Sequence, residues 1–93
     1  MVVGIVRIEL HIPAASSLKE KRQVVRSLKE RIQSRVHAAV AEVDHQNLWQ
    51  RCALGVAVVS ADGAHVQEML QAVRRLVEAQ YDAVLLDWQE QLQ

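Results

Sequence analysis

Four strand-like stretches, the first with clear two-residue alternation, and two with the spacing of amphipathic helices, in the order β-α-β-β-α-β, predict an α+β sandwich for this 93-residue chain. Three observations carry that expectation. Val6, Ile8, Leu10 and Ile12 alternate with Arg7, Glu9 and His11. Leu18, Val25, Leu28, Ile32 and Val36 recur at helical spacing. A turn-rich Ser60-Ala-Asp-Gly63 separates an apolar strand from a second amphipathic run. With 51% hydrophobic and 24% charged residues, the composition is that of a folded globular domain. No linker, repeat or low-complexity stretch divides the chain, so residues 1–93 are expected to form a single domain with one core.

Pro13 ends the first strand because it has no amide hydrogen to give a ladder. Ser17 and Glu20 have the spacing of a capping box, so a helix opens at Leu18 and runs to about Arg35. A second strand covers 38–43, where three alanines blur which face is inward. Residues 44–49 read as a loop. Arg51 to Val59 follows as a third strand, with Leu54, Val56 and Val58 on one face and Arg51, Ala53, Gly55 and Ala57 on the other. Ser60 or Asp62 caps the second helix, whose stripe is Val66, Met69, Leu70, Val73, Leu76 and Val77. A short last strand is expected near Ala83 to Trp88, with Gln89 to Gln93 as a fraying tail. Right-handed crossovers from strand one to three and from strand two to four would put both helices on one face of a four-stranded antiparallel sheet. That is a ferredoxin-like sandwich with one sheet face left open.

The formal net charge is zero, but its distribution is uneven. Seven cations (Lys19, Lys21, Arg22, Arg26, Lys29, Arg31 and Arg35) face only Glu20 and Glu30 between Ser16 and Val36, whereas Glu78 to Gln93 holds four acids and no Lys or Arg. Such clustering steers an anionic ligand even at zero net charge. On a helical wheel Lys19, Arg22, Arg26 and Lys29 gather on one flank, with Arg31 and Arg35 on the opposite one. The four form a ridge suited to the phosphates of structured RNA or a ribosomal subunit, and Lys21, Arg31 and Arg35 are secondary contacts. The competing reading is a solvated face with intrahelical pairs such as Arg26 with Glu30. Lys21 falls near the apolar stripe, where its ammonium must snorkel, find an anionic partner or sit in an open first turn.

Cys52 is the only cysteine, which excludes an internal disulfide or multi-cysteine zinc site and reads as a small buried hydrophobe in a cytoplasmic protein. Neither a signal peptide nor an 18-residue apolar stretch is present, so no membrane partner is expected. No H-E-x-x-H, Gly-rich phosphate loop or nucleophile elbow occurs, and no catalytic residue, metal or cofactor is assigned. Glu42, Asp44 and His45, joined by His11, are a weak candidate for a metal or an acid-base pair, against the plainer reading of turn-capping side chains. The chain lacks Phe, and Trp49, Tyr81 and Trp88 lie outside central strand positions, which sets aside base stacking on the sheet. Trp49 reads as packing over a sheet edge. On the open face, Ile5 lies between Ala53, Gly55 and Ala57, bordered by Arg7, Glu9 and Arg51. A second copy would cover this flat patch, so a homodimeric interaction or scaffold module is the alternative to an RNA-docking factor.

Ser17-Leu-Lys-Glu-Lys-Arg22 together with Ala41-Glu-Val-Asp-His-Gln-Asn-Leu-Trp-Gln-Arg51 resembles the YlxP-like family of small bacterial proteins. The resemblance spans nearly the whole chain and is least distinctive from Asp87 onward. It implies a ferredoxin-like fold without an assigned biochemical activity. It also implies a ribosome-linked role by association, since genes of that family often stand beside those for transcription termination, translation initiation and ribosome maturation. It supplies no binding or catalytic residues.

Overall fold

A computed structural model describes residues 1–93. The elements are β1 (Val2–His11), α1 (Leu18–Val36), β2 (Ala39–Asp44), β3 (Arg51–Ser60), α2 (Gly63–Glu78) and β4 (Val84–Leu92). The sheet has four strands in the order β2-β3-β1-β4, with every neighbouring pair antiparallel. The crossovers differ from the expected pairs. α1 carries the chain from β1 to β2 across β3, and α2 carries it from β3 to β4 across β1.

The alternation of β1 sends Val6, Ile8 and Leu10 to the helix-covered face and Ile5, Arg7 and Glu9 to the open one. Leu54, Val56 and Val58 of β3 lie beside them in the register and complete the floor of the core. Val25, Leu28 and Ile32 of α1 and Val66, Leu70, Val73 and Val77 of α2 form its roof. Cys52 is wholly buried in this core, and burial, with the nearby Glu42 charge, pushes its thiol up to about 12. It is an inert side chain at neutral pH.

Two local features depart from simple alternation. β4 does not stop at Trp88. It pairs with β1 as far as Gly4 opposite Leu92, and Val3 and Gln93 exchange both backbone hydrogen bonds at 2.8 Å. The expected frayed tail is therefore strand, because ladder bonds hold a polar edge strand without apolar side chains. A bulge between Glu42 and Asp44 also places one extra residue, Val43, in β2. Glu42 thus stays on the helix side while Asp44 turns to the open face.

α2 is capped by Asp62, whose Oδ1 accepts the Ala64 amide at 2.9 Å, which decides between the two expected caps. α1 ends at His37 in the left-handed region (φ 57°), where its amide donates to the Gln33 carbonyl.

Candidate nucleic-acid interface

α1 begins where Ser17 Oγ accepts the backbone N–H of Glu20 at 3.1 Å. Glu20 answers one residue earlier than a standard capping box, taking the backbone N–H of Ser16 at 2.9 Å and its hydroxyl at the same distance. These bonds hold the Glu20 carboxyl below its ordinary range.

Lys21 does not join the basic surface. Its side chain is 0% exposed, and Nζ donates to Glu42 Oε2 at 2.9 Å and to the carbonyls of His45 at 2.8 Å and Gln46 at 3.2 Å. It is therefore removed from the phosphate-contacting residues expected from sequence. The ammonium that had to snorkel or find a partner has found one across the β2–β3 loop.

Arg22, Arg26 and Lys29, with Val25, Glu30, Gln33 and Glu42, line an open groove of about 420 Å³ between α1 and β2. Lys19 continues the same flank toward the helix N-terminus. Lys19, Arg22, Arg26, Lys29 and Arg35 form no ion pair or side-chain hydrogen bond; the Arg26–Glu30 pair is not formed. By contrast Arg31 donates to Gln80 Oε1 at 2.6 Å, on the flank facing the end of α2. Arg35 lies in a separate hollow with His37, His65 and Glu68. The seven expected contacts thus resolve into a ridge of four, one buried lysine and two residues elsewhere.

On the open face the structure assembles a network not foreseen from sequence. Glu9 accepts from Arg7 at 3.0 Å and Arg51 at 3.3 Å, and lies 3.1 Å from His45 Nε2. Asp44 accepts from Arg7 at 3.2 Å and caps the His45 amide at 2.8 Å. His45 holds a left-handed backbone (φ 62°), a conformation His tolerates better than most residues. The signal that could have located the network is the register opposing Arg7 to Gly55 and Glu9 to Ala53, which single-strand periodicity does not contain.

The Glu42, Asp44, His45 and His11 candidate is divided among separate partners. Glu42 pairs with Lys21, Asp44 with Arg7, His45 with Glu9, and His11 Nδ1 sits 3.1 Å from the Gln50 carbonyl. No three His, Cys, Asp or Glu side chains converge on a metal position. Ala53, expected to face a partner, is fully buried between Glu9 and Asp44 in the register and leaves the interface set. Ile5, Gly55 and Ala57 do line an apolar hollow of about 350 Å³ with Ala39, Ala41 and Val43, while Arg7 is engaged at its margin.

Burial pushes the Glu9 carboxyl up, but hydrogen bonds from Arg7, His45 and Arg51 outweigh it and hold the group below its ordinary 4.5. Asp44 is held below its ordinary 3.8 by the His45 amide and then Arg7. A carboxylate lowered in the native state stabilises it above the unfolded-state value, and the contribution fades as pH falls through the native one. The urea midpoint is therefore expected to drop as pH falls below about 4.5, and Glu9→Gln to flatten that drop. An identical pH profile in the variant would show that Glu9 does not carry the dependence.

A family model described as "Protein of unknown function (DUF503)" matches residues 3–90. The chain belongs to this DUF503 family. A curated relative, "Uncharacterized protein YlxP" of Bacillus subtilis (strain 168), is 32% identical over 78 residues, covering 84% of this chain and 85% of the relative. Among solved structures, the DUF503 domain is similar to a de novo designed protein with ferredoxin fold (TM-score 0.55, 11% identity, 100% of this chain and 84% of that one). It is also similar to a C-terminal segment of the alpha subunit of aIF2 from Pyrococcus abyssi (TM-score 0.54, 13% identity), covering 90% of this chain. The domain spans about half, 49%, of that second chain. These likenesses establish the ferredoxin-like fold of the DUF503 domain.

Two tryptophans differ in setting. Trp88 of β4 is partly buried, with Arg74 Cζ 5.2 Å from its ring centroid and Nε1 donating to Glu90 at 2.7 Å. Trp49 is not the edge-packing residue expected from sequence: it is 54% exposed on the β2–β3 loop. No helix of the chain is long and apolar enough to cross a membrane.

Proposed function

We propose that the protein is a non-enzymatic, cytoplasmic RNA- or ribosome-associated accessory factor that docks on phosphates through Lys19, Arg22, Arg26 and Lys29. The observation that carries this reading is that these four cations are free of ion pairs while the facing Glu42 is occupied by buried Lys21. The Glu42 carboxylate opposite the ridge is thereby neutralised, which leaves Glu30 as the unpaired carboxylate of the groove against Arg22, Arg26 and Lys29. From Lys19 to Lys29 the ridge runs roughly 15 Å at 1.5 Å per residue, room for three or four phosphate contacts. The resemblance to YlxP-like proteins favours a ribosomal target among RNAs. Contacts of this kind position a ligand without reading its sequence.

Anisotropy titration of a structured ribosomal RNA fragment tests the proposal. Affinity is expected to fall roughly 20- to 100-fold between about 50 and 200 mM salt, for three or four phosphate contacts. The double variant Arg22→Glu/Arg26→Glu is expected to abolish most of the low-salt binding while keeping the wild-type unfolding curve, since both side chains are exposed. Absence of binding at low salt, or a charge-reversed variant that binds as tightly as the wild type, would overturn the proposal.

A further inference from the structure

Trp49 and Leu48 are about half exposed, side by side, and border a shallow hollow of about 410 Å³ with Asn47, Gln50 and Arg51. Their exposure is not that of a loose loop. Lys21 Nζ grips the carbonyls of His45 and Gln46, and the Leu48 amide donates back to His45. On the other side Gln50 Nε2 donates to the carbonyls of Pro13 and Ala15, and the Gln50 carbonyl accepts the Ile12 amide. The loop is therefore tied down on both sides of Trp49, to α1 through Lys21 and to the segment that leads into α1 through Gln50. A large ring carried on an anchored backbone while still wet is partly preorganised for a contact, because the ordering cost of that backbone has already been met by folding.

We infer that Trp49 is a stacking platform for an unpaired nucleobase of an RNA strand whose phosphates follow the α1 ridge; this inference rests on the RNA-docking reading above. The choice of occupant follows from the neighbouring charges. The loop is anchored by Lys21, whose helical turn also carries the unpaired Lys19 and Arg22, so the exposed ring and the start of the ridge share one end of the molecule. Trp88 has Arg74 over its face and its indole N–H tied to Glu90, whereas Trp49 has neither a cation on its ring nor an acceptor for Nε1. Every base has a π-face, so an aromatic ring beside a phosphate-tracking ridge favours single strands without sequence readout. A continuous duplex offers no unstacked base and would use the ridge alone.

The test compares a mixed-sequence single-stranded RNA of about 12 nucleotides, a length within single-strand site sizes, with a blunt RNA duplex. Trp49→Ala is expected to weaken single-strand binding roughly tenfold, the loss of one base stack, and leave duplex binding unchanged. Trp49→Phe should retain most of the single-strand affinity. In the Trp88→Phe protein, the remaining Trp49 emission should be quenched by the single strand and not by the duplex. If Arg22→Glu/Arg26→Glu loses binding while Trp49→Ala does not, the platform is wrong and the ridge stands. If neither RNA binds at low salt, both fail. If Trp49→Ala changes the sedimentation of the protein and not its RNA affinity, the ring is a contact between copies and the inference is overturned.

Discussion

Lys21→Met is expected to destabilise the fold by about 3 kcal/mol, seen as a lower urea midpoint at unchanged slope. Methionine preserves an apolar, flexible stem among the core residues, so the ammonium is the main thing removed. Its loss leaves the Glu42 carboxylate without its 2.9 Å partner and the carbonyls of His45 and Gln46 without their donor. Breaking a buried ion pair from one side costs roughly 3 to 5 kcal/mol. The Glu42 side chain is 18% exposed, so water recovers part of the loss and the lower end applies. Glu42→Gln should also destabilise, because it leaves the enclosed ammonium without a counter-charge. The double variant Lys21→Met/Glu42→Gln should be more stable than the sum of the two losses implies, since no uncompensated charge remains. Strict additivity would show that the two residues are not coupled, and a Lys21→Met cost under about 1 kcal/mol would show that the ammonium is not enclosed. Lys21→Met frees the β2–β3 loop, so the Leu48 amide, which donates to the His45 carbonyl that Lys21 also holds, should lose hydrogen-exchange protection beyond the global loss.

Lys21 also shows where sequence reading stops. Its place beside the apolar stripe follows from helical spacing, but spacing does not choose between an open first turn, a phosphate contact and the buried partner that the structure shows. The partner lies 21 residues away, on a strand whose bulge decides which face each side chain meets. Glu42 and Asp44 would share a face in a regular strand, yet they are split between the core-side clasp and the open-face network. The order of elements along the chain and the helical ridge are legible because periodicity is local, whereas the crossover pairs are set by contacts between strands far apart in sequence. Burial of Ala53 is not legible, because alanine is covered by the longer chains of its register neighbours rather than by its own size. β4 was shortened for a related reason. Its polar residues carry no burial signal, while the ladder bonds that extend it to Leu92 are made by the backbone.

The close approach of β1 to α2 carries the second large effect. Gly4 lies on the helix-facing side of β1, opposite Val58 and Leu92. A Cβ added there would stand 2.5 Å from Val66 Cγ1 and 3.1 Å from both Leu70 Cδ1 and Val58 Cγ2. All three neighbours are buried, and Val66 is β-branched with little rotamer freedom in a helix. The extra methyl cannot be absorbed by a flexible chain end, so the first turns of α2 must move away from the sheet. Gly4→Ala is expected to cost about 2 kcal/mol: overpacking of roughly 1 to 3 kcal/mol, offset in part by the smaller entropy of the unfolded chain. Gly63→Ala is the control, because a Cβ there meets nothing within 4 Å and the same entropy change should leave the fold unchanged or slightly more stable. In Gly4→Ala/Val66→Ala the clash is relieved, so the double variant should be more stable than the two single losses predict. Additive losses would mean that α2 has already shifted to accommodate the methyl, and that contact with Val66 is not what requires glycine at position 4.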